Sequence, residues 1–168
     1  MTRDDLFGGE NDPRWKLLEA ARDRLAMAAT LDDVIAVVRS TARGVASADG
    51  VTFVLRDGDK CHYVEEDAVG PLWKGQKFPL TACISGWCML NGKTAAIEDI
   101  YQDPRIPHDA YRPTFVKSLV MAPAGRDAPM AAIGAYWKDK KAFTEREVRA
   151  VETLAAVVAE AIVRTAAA

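Results

Sequence analysis

The sequence predicts an α+β protein, with a central antiparallel β-sheet and helices on one or both of its faces. Three observations carry this expectation. Helical periodicity marks both ends of the chain, and a strong hairpin signal sits at Asp57-Gly58. Late in the sequence two apolar runs, VKSLVMAPA and AAIGAYWKD, are joined by the turn-rich GRDAPM.

Residues 1–12 are polar and glycine-containing and are expected to form a flexible arm, which leaves 13–166 as a single domain. Pro13 suits a first helical turn. In PRWKLLEAARDRLAMAAT the apolar Trp15, Leu18, Leu25 and Ala29 recur at helical spacing, with Lys16, Glu19, Arg22 and Asp23 on the wet side. That helix should stop near Thr30, which together with Asp33 starts a second one. Leu31, Ile35, Val38 and Val45 are expected to form its inward stripe.

Strands are predicted at 51–56 and 60–65 around the hairpin. The stretch 67–81, with Gly70, Pro71, Gly75 and Pro79, reads as a loop carrying Trp73 in its middle. ISGWCMLNG suits a short helix closed by Asn91 and Gly92, and TAAIEDI a third strand. The two late runs supply the fourth and fifth strands, so a sheet of five to six is expected. Thr144 and Glu147 have capping-box spacing and open a long helix to near Thr165. This helix carries two apolar stripes, Val148, Val151, Ala155, Val158 and Ile162, and beside them Leu154, Val157 and Ala161. It therefore needs two partners: the sheet, and either the opening helix or a second copy of the chain. A homodimer through residues 15–29 and 145–165 is the expectation.

Composition narrows the function. The 168 residues are 49% apolar and 27% charged, which is ordinary for one globular domain. A net charge of -2 with scattered Lys and Arg offers no basic field for a phosphate backbone, so nucleic acid is not an expected partner. No apolar run reaches the roughly 20 residues of a membrane-spanning helix. The N-terminus also lacks signal-peptide order, so a cytoplasmic protein without a membrane partner is expected. Three cysteines, Cys61, Cys83 and Cys88, do not form a secreted disulfide framework and read as buried thiols.

Candidate chemistry concentrates in IEDIYQDPRIPHDAYRPTFVKSLVM, Ile97 to Met121. Tyr101, Tyr111 and Phe115 offer flat apolar faces, while Arg105, His108 and Arg112 offer donors, the makings of an apolar pocket with few oriented polar groups. Pro104, Pro107 and Pro113 stiffen the segment and lower the cost of ordering a lid. His108 has no companion at metal-ligand spacing, and Asp99 and Asp103 are expected to cap turns or pair with Arg105 and Arg112. Cys83 and Cys88 flank the short helix with C-x4-C spacing, a weak metal or redox signal that leaves open a thiol enzyme acting on a small oxidised substrate. No phosphate-binding loop, dinucleotide fingerprint, H-E-x-x-H or nucleophile elbow is present. The expectation is a non-enzyme with no catalytic or metal-binding residues.

The run FPLTACISGWCMLNGKTAAIEDIYQDPRIPHDAYRPTFVKSLVMAP, Phe78 to Pro123, resembles the GAF domain family, particularly those of bacterial signalling proteins and sensor histidine kinases. The cues are SGW before a short helix, IEDIYQDPRIP, SLVMAP and IGAYW; with the flanking helices the likeness covers about 15–165. The resemblance implies a sensory module in a two-component or related pathway, with terminal helices on one face of the sheet and a ligand cavity on the other. Its roof is implied to be Ser85–Asn91 and Asp99–Phe115. The ligand-binding candidates are then Ser85, Trp87, Asp99, Tyr101, Arg105, His108, Tyr111 and Phe115 in the roof, with Phe53, Trp73 and Tyr136 completing the walls. The ligand itself is left open.

Departures from enzymatic and chromophore-binding relatives sharpen this. The free methionine sulfoxide reductases look to place key cysteines where Ser85 and Asp109 stand here. Bilin-binding relatives carry a cysteine near the lid aspartate, where this chain has Asp109, Ala110 and Tyr111, so no covalent bilin is expected. The cyclic-nucleotide signature is not evident. A ligand-free dimerisation module, its pocket filled by Trp87 and Tyr136, is the remaining alternative to a small-molecule sensor.

Overall fold

The computed structural model describes residues 12–167, so all of the expected N-terminal arm except Asp12 lies outside the described residues. Helix α1 (Pro13–Met27) begins at Asp12, whose carboxylate accepts from the Arg14 amide at 2.9 Å and pairs with its guanidinium at 2.7 Å. The helix buries Leu18, Ala21 and Leu25. Helix α2 (Leu31–Ala46) starts on a reciprocal cap, the Asp33 amide donating to Thr30 Oγ1 and the Thr30 amide to the Asp33 carboxylate. Its buried face is Val34, Val37, Val38, Thr41, Ala42 and Val45. The expected stripe is corrected at two positions. Leu31 is 40% exposed and Ile35 only half-buried, because two overlapping sets of apolar residues satisfy the same three-and-four spacing and the valines win the core.

The six strands are β1 (Gly50–Asp57), β2 (Lys60–Ala68), β3 (Lys77–Pro79), β4 (Ala95–Ile97), β5 (Ser118–Ala124) and β6 (Ala131–Trp137). They form one sheet in the order β3-β2-β1-β6-β5-β4, antiparallel at every pairing. The short β3 lies inside the stretch expected to be loop. It sits at the sheet edge, where Pro79 has no N–H to donate and no further strand to serve.

The sheet is buried on both faces, which is why β5 and β6 read as continuous apolar runs rather than as alternating ones. Toward one face point Val51 and Phe53 of β1, Val120, Ala122 and Ala124 of β5, and Ala131, Ile133, Ala135 and Trp137 of β6. These meet α1, α2 and the closing helix α5 (Glu145–Ala167), which opens on the Thr144–Glu147 capping box. Val151, Leu154, Ala155, Val158 and Ala161 of α5 are all buried here, and the Arg164 guanidinium donates to the Leu25 carbonyl. The second partner of α5 is thus within the chain, namely α1 and α2.

The opposite face receives Val54, Leu119, Met121, Ala132 and Tyr136, covered by α3 (Ile84–Asn91), by 3-10 turns at Leu80–Ala82 and Ile100–Gln102, and by the one-turn α4 (His108–Tyr111). Gly86 sets the seating of α3. A Cβ at this position would fall 1.8 Å from the Leu80 carbonyl oxygen, so only glycine lets the helix lie against the preceding turn.

Candidate functional site

The candidate site is the interior between the sheet and the lid. At its centre stands Trp73, 5% exposed, from the loop between β2 and β3. Its indole lies 5.6 Å from the Tyr63 ring, 4.6 Å from Tyr111 and 5.5 Å from Tyr136, all in edge or tilted arrangements. Its Nε1 donates to the Ala110 carbonyl of α4 at 3.1 Å, fastening the loop to the lid. The backbone on either side is held by one carboxylate: Glu66 accepts from the Leu72 amide at 3.0 Å and from the Lys74 amide at 2.8 Å. Glu66 thus aims Trp73 inward.

The sheet supplies the floor. Tyr136 lies along β6 over Gly134, where a Cβ would fall 2.5 Å from the tyrosine oxygen, and its hydroxyl shares a 2.8 Å hydrogen bond with Thr52 Oγ1 on β1. Tyr63 of β2 shares a 3.0 Å hydrogen bond with the fully buried Ser85 Oγ of α3. Burial raises the pKa of Tyr63, Tyr111 and Tyr136 well above the ordinary phenol value, so all three stay neutral. Tyr63, Trp73, Phe78, Cys83, Pro107, Ala110 and Tyr111 line a cavity of only about 10 Å³, room for roughly one water.

The lid is pinned by charge and by turns. Asp99 caps the second 3-10 turn by accepting from the Tyr101 amide at 3.1 Å, and pairs with Lys140 at 3.2 Å. Asp103 accepts from the Arg105 amide at 2.9 Å and from its guanidinium at 2.7 Å. These bonds hold the Asp103 carboxyl below its ordinary pKa, against the opposing cost of burial. Arg105 then lies 4.3 Å over the Trp87 ring. The His108 ring packs edge-on to Tyr101 at 5.4 Å, and its Nε2 lies 3.2 Å from the Asp103 carbonyl. Arg112 pairs with the exposed Asp109.

The expected site residues therefore separate into groups. Trp73, Ser85, Tyr111 and Tyr136 converge on the interior. Trp87, Asp99, Tyr101, Arg105 and His108 build the outer frame of the lid, and Phe115 packs where β1 begins, close to Gly50 and Gly70. Phe53 is a correction: it faces the helical layer, because the alternation of β1 turns Thr52 and Val54, not Phe53, toward the lid. Four contributors were not foreseen, Tyr63, Glu66, Phe78 and Cys61. For Tyr63 the signal was available, since an aromatic on a strand paired with β1 faces one core or the other. Cys61 acts through its tertiary neighbour.

That neighbour is Cys83, at the start of α3, with the two sulfurs 3.1 Å apart and Ser85 Oγ 3.3 Å from Cys83 Sγ. The hydrogen bond with Cys61 and, in smaller part, the one with Ser85 bring the Cys83 thiol down to about 6 despite its burial. Cys61 moves in the opposite direction. Cys88 stands apart, its Sγ against the Met121 carbonyl, and burial pushes it up to about 12. Among the described residues no group of three or more His, Cys, Asp or Glu side chains could hold a metal ion. Among them, too, no helix is long and apolar enough to cross a membrane.

Comparison with known proteins agrees with this architecture. The family model for the GAF domain matches residues 28–163. Curated protein sequences return no match. Among solved structures, the GAF domain of the Acinetobacter phosphoenolpyruvate-protein phosphotransferase superposes with a TM-score of 0.78 at 15% identity, over 94% of this chain and 97% of that one. Free methionine-R-sulfoxide reductase from Neisseria meningitidis, solved with its substrate, gives 0.76 at 16% identity, over 95% and 94%. The phycoerythrobilin-bound GAF domain of a cyanobacterial phytochrome gives 0.75 at 17% identity, over 90% and 95%. The likeness to these solved structures is one of fold, and the family match over residues 28–163 carries the assignment: the chain belongs to the GAF domain family.

Proposed function

We propose that the chain is a regulatory GAF module that senses a small, flat, largely apolar molecule between sheet and lid, with Trp73 occupying the ligand's place in the closed state. One observation carries the reading: a single indole from a loop fills the middle of an otherwise aromatic interior with few oriented polar groups. A ligand enters by swinging Trp73 outward. The movement breaks the bond to Ala110 and loosens the lid, and the ligand shifts that balance only by its differential affinity for the open state.

The fold neighbours include a phosphotransferase GAF domain and part of a methyl-accepting chemotaxis protein, which favours a signalling context. Transmission through pairing of two copies at 15–29 and 145–165 belongs to the same reading. It relies on surface left over once α1 and α5 have packed, where Met27 is 84% and Val163 71% exposed. Sulfoxide reduction is disfavoured. Ser85, at one position where the reductases look to carry a cysteine, is buried on Tyr63, and Asp109, at the other, lies on the surface. A tetrapyrrole is disfavoured as well, by the small interior and by the absence of any cysteine between Asp99 and Phe115.

The test is a thermal-shift screen of small aromatic and heteroaromatic compounds against the native chain and Trp73→Phe. A smaller plug lowers the cost of opening, so compounds that bind under the lid should bind the variant more tightly, as expected for a site whose competent state is only partly populated. Equal affinity for both proteins would place binding elsewhere. No binding to either would leave the ligand-free module, which the cavity of about 10 Å³ also favours.

A further inference from the structure

The three thiols of the chain do not share one environment. Cys61 is fully buried on β2, where it pairs with Phe78 of β3, and Cys88 is fully buried in α3. Cys83 differs, because its side chain lines the small cavity beside Phe78, Pro107 and Ala110. The space beside Cys83 has room for about one water, so the oxidant that reaches it there must be small.

The Cys61 and Cys83 sulfurs, 3.1 Å apart, need about 1 Å of further approach to reach the disulfide bond length of about 2.05 Å. Both elements that carry them are anchored on the same short segment, 77–82. Cys61 sits in the β2–β3 ladder, and the α3 start is fixed by the Gly86–Leu80 approach. The thiols are therefore held in near-bonding position and do not depend on a chance encounter of loops.

We propose that Cys61 and Cys83 form a two-electron redox site that a small hydroperoxide oxidises to an intramolecular disulfide, with Cys83 oxidised first and Cys61 resolving. The Cys83 thiolate attacks the peroxide, an S–O bond forms as O–O breaks, and the leaving alkoxide or hydroxide takes up the proton that Cys83 had released. The product is a sulfenic acid on Cys83. Cys61 then attacks the Cys83 sulfur. The S–S bond forms, S–O breaks, and the departing hydroxide leaves as water with the Cys61 proton. Two thiols are oxidised and one peroxide is reduced, to an alcohol or, from hydrogen peroxide, to water.

The lowered pKa of Cys83 supports this order, and the raised value of Cys88 explains why that thiol stays out of it. The site shares its cavity with the interior under the lid, but its chemistry needs no bound ligand. Its chemistry ties the β2–β3 edge to the start of α3, the helix that roofs the interior.

The test uses the folded full chain and hydrogen peroxide, followed by acid quenching, alkylation under denaturing conditions and peptide mapping. The expected result is that two of the three thiols escape alkylation, with Cys61 joined to Cys83 and Cys88 free, and that dithiothreitol restores all three. With Cys61→Ser the reaction should stop at a sulfenic acid on Cys83 that dimedone, added as the chain is unfolded, traps. Cys88→Ser should still close the bond. Retention of three alkylatable thiols, a mapped bond that uses Cys88, or a bond that forms only after the chain is unfolded in urea would overturn the proposal, and the native chain alone is enough to decide.

Discussion

Replacing Trp73 by alanine removes the side chain on which the closed interior depends. The deleted indole leaves a void on the order of 150 Å³, and at about 24 cal/mol per Å³ such a void costs about 3.5 kcal/mol if the surroundings do not collapse. The variant also loses the hydrogen bond to the Ala110 carbonyl, worth about 1 kcal/mol. The sum lies within the range of about 3–5 kcal/mol found for buried Trp→Ala changes. For a domain of this size it corresponds to a fall in Tm of roughly 9 to 18 °C. Urea unfolding of native and variant chains measures it directly. Indole supplies the second arm, because a hole of this shape should accept it. At a hundred times its dissociation constant for the variant it should restore about 2.7 kcal/mol to the variant and far less to the native chain. A loss under about 1 kcal/mol, or a variant indifferent to indole, would refute the assignment of Trp73 as the plug.

Three further outcomes follow from the same geometry. Gly86→Ala drives a methyl group into the Leu80 carbonyl and should cost about 3 kcal/mol or more, read as a lowered Tm with unchanged secondary structure. Tyr136→Phe leaves the buried Thr52 hydroxyl without its partner and should cost about 1–2 kcal/mol, while the double change with Thr52→Val should recover most of that loss in a double-mutant cycle. Because the Asp103 pKa is lower in the folded chain, its stabilisation is complete above the unfolded value of about 3.9 and is lost as pH falls through the folded value. Asp103→Asn should accordingly raise hydrogen exchange across 99–115 at neutral pH by about 1 kcal/mol of opening energy, and the difference from the native chain should vanish in strong acid.

Much of the architecture is legible in the residues because local chemistry dictates it. Asp57-Gly58 turns the hairpin within a residue of the expected place, and the pairs Thr30–Asp33 and Thr144–Glu147 cap the helices they were expected to open. What escapes is decided by tertiary pairing. β3 is three residues long with a proline at the edge, too short for a period to register. The orientation of Phe53 turns on which side of a doubly buried strand faces the helices, and an apolar run leaves that open. Cys61 and Cys83 are 22 residues apart and meet only because β2 runs beside the start of α3. Spacing directed attention to Cys83 and Cys88 instead, and these two thiols have unlike surroundings. Trp73 was placed in its loop correctly, but its role depends on Glu66 gripping the amides at either side, a contact no local pattern announces.

The most direct test of a sensor with a ligand space beneath the lid is native mass spectrometry of the chain purified gently from its own cells, beside Trp73→Phe prepared in the same way. The expected result is one small molecule per chain, at higher occupancy in the variant and released on unfolding. Bare protein in both preparations would contradict it and identify the aromatic interior as a permanent core.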